Sequence, residues 1–169
     1  MANDMLVNFR SFRQKVRYHK KPFRRFLTKL AKNVPHDADR ITARIEKEVW
    51  NEVDCLSCAN CCKQMSPTYT AEDIKRIAAY ENMEVEAFKK KWLYKDRTGD
   101  WLNKSTPCQF LDLASNKCRI YDVRPQDCMG FPHLSKKKLK NYIHVHKQNI
   151  EFCPATYKLV EKMMAEMSG

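Results

Sequence analysis

Half of the chain's eight cysteines lie in one short stretch, C-L-S-C-A-N-C-C, at positions 55 to 62. They are Cys55, Cys58, Cys61 and Cys62, so two residues separate each of the first three from the next, and the last two are adjacent. Two cysteines at this spacing can direct both thiolates at one metal ion, as in zinc knuckles and iron–sulfur ferredoxins. An isolated buried cysteine is often only a small apolar residue, but four in one such stretch predict metal ligation.

The other four cysteines lie farther along the chain, each in a turn-like setting next to or near a proline or an asparagine: Cys108, Cys118, Cys128 and Cys153. Loops can bend inward at such residues, so we expect these thiols to converge on the region of the first four. Neighbouring side chains usually point in different directions, and Cys61 and Cys62 could therefore serve two metal ions or opposite sides of one multinuclear centre.

Thiolates suit both iron–sulfur clusters and zinc, so the ligand type alone does not select the metal. The ferredoxin-like spacing favours an iron–sulfur cluster. Zinc is the alternative, and it would need two closed four-cysteine sites. Histidines are weaker candidates, since His133 reads best as a surface residue, and His144 and His146 share a face only if their segment is extended.

The ordered cysteine motifs resemble those of a known family. The run C-x-x-C-x-x-C-C, followed by C-Q-F-L from Cys108 and C-R-I-Y-D-V-R-P-Q-D-C from Cys118 to Cys128, is similar to the zinc- or iron-chelating cysteine-cluster proteins, often called the YkgJ family. The resemblance spans roughly residues 50 to 155 and implies metal binding. One branch, the flagellin lysine methylases, couples a similar cluster to methyl transfer, but without a glycine-rich nucleotide loop the resemblance here implies the metal site alone.

Charge is distributed unevenly along the chain. The formal net charge is +12, and ten bases stand against one acid, Asp4, before residue 34. A surface of this kind can bind nucleic acid, an acidic protein or anionic lipid, although a solvated helix face explains the same pattern.

Apolar runs are short, and none approaches the roughly 20 residues that cross a bilayer. The first residues, M-A-N-D-M-L-V-N-F-R, interleave charges and differ from a secretory signal. We therefore expect a cytoplasmic protein without a transmembrane segment, in which thiols stay reduced and bind metal instead of forming disulfides.

Apolar residues at three-or-four spacing predict helices in the first third of the chain. Residues 5 to 33 read as two amphipathic helices with a joint near Pro22, because proline interrupts helices. Asp37 or Asp39 would cap the next helix, which leads directly to Cys55.

Helices are also expected over residues 70–80, where Thr-Ala-Glu-Asp resembles a capping box, and over residues 84–94. A terminal helix should follow with Pro154 in its first turn. The polar residues 95 to 107, with a glycine and a proline, read as a loop.

Together these elements predict a mainly α protein with little β, a small helical domain whose cysteine-bearing loops and short hairpin surround a metal centre. The hairpin would flank L-A-S-N and hold Cys108 and Cys118, and a short helix would carry Cys128. We divide the chain into a basic amphipathic helical arm, residues 1–34, and a cysteine-cluster metal-binding domain, residues 35–169.

The function expected from these features is metal binding, with an iron–sulfur cluster held by up to eight cysteines and a redox or modifying role. Its partners would be metal ions and either a redox partner or a polyanion. The alternative is a zinc-stabilised binding module whose basic arm contacts nucleic acid or an acidic partner. No residue pattern identifies a substrate, a catalytic side chain or an oligomeric state.

Overall fold

A computed structural model describes residues 7–135 and 138–168, which form two compact units. Among the described residues, the helical unit comprises residues 7–58, 132–135 and 138–168, and the central unit comprises residues 59–131. The described residues are mainly α with little β, which confirms the predicted fold class. None of their helices is both long and apolar enough to span a bilayer.

In chain order the helices are α1 (Phe9–Lys32), α2 (Ala38–Trp50), α3 (Cys55–Cys58), α4 (Asn60–Gln64), α5 (Ala71–Tyr80), α6 (Val85–Trp92), α7 (Gln126–Gly130), α8 (Leu139–Asn149) and α9 (Pro154–Met167). The strands are β1 (Thr68–Tyr69), β2 (Leu93–Lys95), β3 (Trp101–Asn103), β4 (Leu111–Asp112) and β5 (Lys117–Cys118), and a 3₁₀ helix covers Tyr121–Val123. The boundary predicted at residue 34 stays a prediction.

Helix α1 runs through Pro22 without ending, so the joint predicted there is wrong. Phe12 lies buried before the proline, and Phe23, Leu27 and Leu30 lie buried after it. All of them belong to the helical unit, in which α1 packs against α8 and α9. Burial of apolar side chains on both sides of Pro22 outweighs the one backbone hydrogen bond that proline removes.

The remaining long helices of this unit are α2, α8 and α9. Asp37, one of the two predicted caps, occupies the N-cap position of α2, but its side chain makes no capping hydrogen bond and instead accepts one from Arg40. The carboxylate of Asp39, the other predicted cap, accepts a hydrogen bond from the amide of Leu139 at 2.7 Å. The segment with His144 and His146 is helical, so the extended alternative is wrong. Residues two apart on a helix do not share a face, and accordingly His144 is exposed while His146 is buried.

The central unit begins with short helices and continues into a three-stranded antiparallel sheet of order β1-β3-β2. Helix α5 opens with the predicted capping box, formed by Thr70 and Asp73. Helix α6 ends at Trp92, two residues before the predicted end, because Leu93 begins β2. The sequence predicts a loop over residues 95 to 107, but this segment contains β3. Strand β3 pairs with both β1 and β2.

The core of the central unit is an apolar cluster between α5, α6 and the residues just before β4 and just after β5. Its largest fully buried members are Ile74, Ile77, Phe88, Phe110 and Ile120. Strands β4 and β5 form a hairpin around L-A-S-N as predicted, with Leu111 paired to Cys118. Cys108, predicted to lie in the hairpin, comes before β4 instead, because the pairing begins only at Leu111. Because Cys108 and Cys118 pack against this core, the cluster fixes the positions of both thiols.

Candidate metal centre

The cysteine-rich run is divided between the two units. Cys55 and Cys58 lie on α3 of the helical unit, and Cys61 and Cys62 lie on α4 of the central unit. Between the two short helices the chain turns at Ala59, whose φ of 47° is in the left-handed region. This conformation costs an L-residue roughly 1–2 kcal/mol, and glycine adopts it freely.

The sulfur atoms of Cys61 and Cys62 are 4.0 Å apart. The two side chains therefore lie close together, although neighbouring side chains usually diverge. Two thiolates on one tetrahedral zinc ion, with Zn–S bonds of about 2.3 Å, are separated by about 3.8 Å. The observed distance is compatible with both sulfurs binding the same ion.

Three more cysteines lie in the central unit. The amide of Cys108 donates a hydrogen bond of 2.8 Å to the carbonyl oxygen of Cys62. Cys118 is held in β5 by its pairing with Leu111, and Cys128 lies on α7. All are partly buried.

The charges of four thiols, those of Cys62, Cys108, Cys118 and Cys128, act on one another. Burial raises the pKa of Cys128, and negative charge on Cys62, Cys108 and Cys118 raises it further. Burial likewise raises the pKa of Cys108 and of Cys118, and both are also affected by charge on Cys62. By contrast, the pKa of Cys62 is lowered to about 7, chiefly by its hydrogen bond with Cys61. We call Cys62, Cys108, Cys118 and Cys128 the thiol group.

Tyr69 lies beside the thiol group, a position that sequence reasoning missed. Its pKa is raised by burial and then by charge on Cys108, Cys128 and Cys118. The phenol hydroxyl donates to the side-chain oxygen of Asn103 at 2.5 Å, and the same oxygen accepts a bond of 2.9 Å from Gln109. No local motif marks these residues, because they meet only through the pairing of β1 with β3.

A second network positions the segment that carries Cys128. The buried carboxylate of Asp73 accepts the amide of Gln126 at 3.1 Å and pairs with Arg76 at 2.6 Å. Arg76 also donates to the carbonyl oxygens of Val123 and Arg124, at 3.3 and 2.9 Å. Helix α5 thereby holds both sides of the turn that leads into α7. The sequence motif predicted that Asp73 lies at the start of a helix, but it gave no indication of the hydrogen bond between Asp73 and the amide of Gln126.

The remaining cysteines lie in the helical unit. Cys55 is exposed, whereas Cys58 and Cys153 are buried. Cys153 is the N-cap residue of α9, and its sulfur accepts a hydrogen bond from the amide of Thr156 at 3.4 Å. Burial raises the pKa of this thiol. The predicted convergence of all eight cysteines stays a prediction.

The thiol group has the donor chemistry of a thiophilic metal site. Within residues 7–135 and 138–168, no three cysteine, histidine, aspartate or glutamate side chains already surround one point as ligands. Burial and repulsion from neighbouring thiolates raise the pKa of Cys108, Cys118 and Cys128, and a bound cation would offset that repulsion and replace the protons. The residues therefore fit a metal that replaces protons.

Comparison with known proteins agrees with this chemistry. Residues 54–154 match the family described as "CxxCxxCC: Putative zinc- or iron-chelating domain". The match covers more than half of the chain, so the chain belongs to this family of metal-chelating proteins, and the predicted resemblance and metal binding are confirmed at that level. The description names zinc and iron without choosing between them.

One similar protein comes from Methanocaldococcus jannaschii and is described as uncharacterised. It is 32% identical over 81 residues, which are 47% of this chain and 43% of that protein. The chain thus spans less than half the length of this relative. No solved structure matches the chain.

Proposed function

We propose that this protein binds an iron–sulfur cluster through its cysteines and serves a redox or modifying reaction. The supporting observation is the arrangement of thiols in the central unit, where the sulfur atoms of Cys61 and Cys62 lie 4.0 Å apart and the amide of Cys108 donates to the carbonyl oxygen of Cys62 at 2.8 Å. The proposed ligands are the eight cysteines: Cys55, Cys58, Cys61, Cys62, Cys108, Cys118, Cys128 and Cys153. A reducing cytoplasmic compartment belongs to the proposal, because thiolate ligands must stay reduced.

Iron–sulfur ligation is favoured over zinc by the ferredoxin-like spacing of the first three cysteines. A bound cluster would supply reversible electron transfer. Positive charge nearby favours the reduced state of such a cluster, and two bases already act on the thiols. The charge of Lys63 adds to the lowering of the Cys62 pKa that the Cys61 hydrogen bond chiefly causes, and the charge of Arg124 partly offsets the burial that raises the pKa of Cys118. We expect both bases to raise the reduction potential.

Anaerobic purification followed by visible absorbance, iron and acid-labile sulfide analysis tests this proposal. The expected result is iron and acid-labile sulfide together with visible absorbance from a protein-bound cluster. Cys108→Ser should remove most of the metal, while Ile74→Val, a core change in the same unit, should lower stability without removing metal. Zinc without sulfide would select the zinc alternative, and metal-free protein with its fold intact would contradict metal binding altogether.

A second candidate function is binding of a polyanion to the basic surface of α1. The helix contains ten bases and no acid. Among the described residues only Lys20 and Arg24 of these bases form ion pairs, both with Glu151. Most of the others are exposed, and Tyr18, which is 72% exposed, lies between them. Such a surface can neutralise phosphates and stack on a base.

Nucleic acid suits this surface better than a membrane does. A helix that lies on lipid inserts an apolar face into the bilayer, but the apolar face of α1 is already buried in the helical unit. Salt-dependent binding to an oligonucleotide tests the candidate, with Arg24→Glu and Arg25→Glu expected to weaken binding and reduce the salt slope. The matched control is Arg97→Glu, which makes the same change in net charge at an exposed position outside α1. If the protein does not bind the oligonucleotide at low salt, the polyanion hypothesis is wrong, and the bases of α1 only form a solvent-exposed helix face.

A further inference from the structure

The side chain of Asn103, at the end of β3 in the central unit, is an amide that is almost entirely buried, since the residue is 4% exposed. Its backbone is held from two directions. Asn103 pairs with Leu93 of β2, and its backbone amide donates to the hydroxyl of Ser66 at 2.9 Å. A side-chain amide has two donor hydrogens and one acceptor oxygen, and buried groups of this kind are normally hydrogen-bonded.

Gln109 determines which end of the Asn103 amide faces it. The side-chain nitrogen of Gln109 donates to the backbone carbonyl oxygen of Trp92 at 3.1 Å, and a carbonyl oxygen can only accept. The same nitrogen lies 2.9 Å from the Asn103 side chain, which must therefore present its oxygen there. The hydroxyl of Tyr69 donates to that oxygen as well. The side-chain nitrogen of Asn103 is consequently the end of the amide that is left to donate elsewhere.

This nitrogen is buried and has no partner at hydrogen-bond distance among the described residues. Cys108 is the thiol on which the Asn103 side chain acts. Burial raises the pKa of Cys108, and hydrogen bonding to its thiolate, by the backbone at Phe110 and by the Asn103 side chain, partly opposes the rise. Only a donor has this effect, and the oxygen of Asn103 already accepts two bonds, so the donor is the nitrogen. A protonated thiol is a weak acceptor, which agrees with the absence of a short bond here.

We propose that Asn103 is a positioning residue of the metal centre, whose side-chain nitrogen donates a hydrogen bond to the sulfur of Cys108 when that sulfur binds metal. A metal-bound sulfur is a thiolate, and a charge-assisted bond to it is roughly twice as strong as a neutral one. The bond would satisfy the buried nitrogen and orient the ligand. Hydrogen bonds to sulfur also help to set the reduction potential of a cluster. The inference rests on the metal-binding function proposed above and adds Tyr69, Asn103 and Gln109 as its support.

Full-length ¹⁵N-labelled protein, freed of metal under reducing conditions and loaded with ¹¹³Cd²⁺, provides the test. Cadmium binds thiolates, and its nuclear spin couples to a proton that is donated to a metal-bound sulfur. Nuclear magnetic resonance should show coupling between ¹¹³Cd and a side-chain amide proton of Asn103. Asn103→Asp keeps the shape and the accepting oxygen but removes the donor, so it should abolish this coupling and weaken Cd²⁺ binding about tenfold. The matched control is Asn82→Asp, the same change at an exposed position of the central unit, which should change neither.

The outcomes separate this inference from the broader proposal. Cd²⁺ bound through thiolates without coupling to the Asn103 side chain would overturn the hydrogen bond and leave metal binding intact. A coupling that persists in Asn103→Asp would belong to another amide and would overturn the inference as well. No Cd²⁺ binding by the wild-type protein would overturn both proposals. Because the coupling is measured on the wild-type protein, the inference remains falsifiable even if Asn103→Asp does not fold.

Discussion

The amide of Cys108 donates a hydrogen bond to the carbonyl oxygen of Cys62, with 2.8 Å between nitrogen and oxygen. This contact joins the end of the cysteine-rich run to the loop before the β4–β5 hairpin. It does not involve either sulfur atom. The backbone thus brings together two cysteines that are far apart in sequence without using their chemistry.

Cys62 should be the first thiol of the central unit to react in reduced, metal-free protein. Its pKa is lowered to about 7, chiefly by the hydrogen bond with Cys61, whereas burial raises the pKa of Cys118. Since the thiolate is the reactive form, alkylation of Cys62 by iodoacetamide should rise with pH and reach half its maximal rate near pH 7.

Peptide mass spectrometry after short alkylation pulses at several pH values measures this profile. Cys61→Ala should shift the midpoint for Cys62 toward higher pH, because the hydrogen bond that stabilises the thiolate is lost. The same midpoint in both proteins would show that Cys61 has no such effect.

Asp73→Asn should destabilise the central unit by about 2–4 kcal/mol, because it breaks a buried ion pair with Arg76 and weakens the capping box. It should also loosen the bond to the Gln126 amide and so weaken metal binding about tenfold. Urea unfolding of metal-free protein and metal titration measure the two effects. Glu72→Gln, an exposed change on the same helical turn, should leave both unchanged; equal losses in the two variants would contradict the positioning role.

Ala59→Gly should leave the free energy of unfolding unchanged within about 1 kcal/mol. Glycine relieves the left-handed backbone at this position, while loss of the buried methyl group costs about 0.8 kcal/mol. Ala59→Val should destabilise clearly, since a branched side chain is an outlier at positive φ. Urea midpoints compare the variants, and a valine variant as stable as the wild type would argue against this turn.

Removal of residues 1–33 should expose the apolar surface that α1 covers in the helical unit and lower solubility, while metal content stays largely intact because every cysteine lies beyond it. The point variant Leu27→Ala should cost about 2–5 kcal/mol, since this side chain is fully buried. Lys29→Ala, on the exposed side, is the control. Urea unfolding, gel filtration and metal analysis provide the measurements, and loss of metal after the deletion would show that α1 supports the centre.

Sequence alone determined the features that depend on a few neighbouring residues. The capping box at Thr70, the hairpin around L-A-S-N, the short helix with Cys128 and the helix after Pro154 all form where predicted, because each rests on hydrogen bonds or dihedral preferences that a few residues supply. The ordered cysteine motifs likewise identified the family, since closely spaced ligands are a local property.

Tertiary structure alone decided the features that depend on distant partners. Helix α1 passes through Pro22 because burial on both sides outweighs a local preference, and β3 forms because β1 and β2 supply its hydrogen bonds. Tyr69 reaches the thiol group, and Asp73 reaches Gln126, only once the central unit has folded. Burial and long-range hydrogen bonds bring together residues that are far apart in the sequence, and no local pattern marks such pairs. These contacts therefore could not be predicted from the sequence alone.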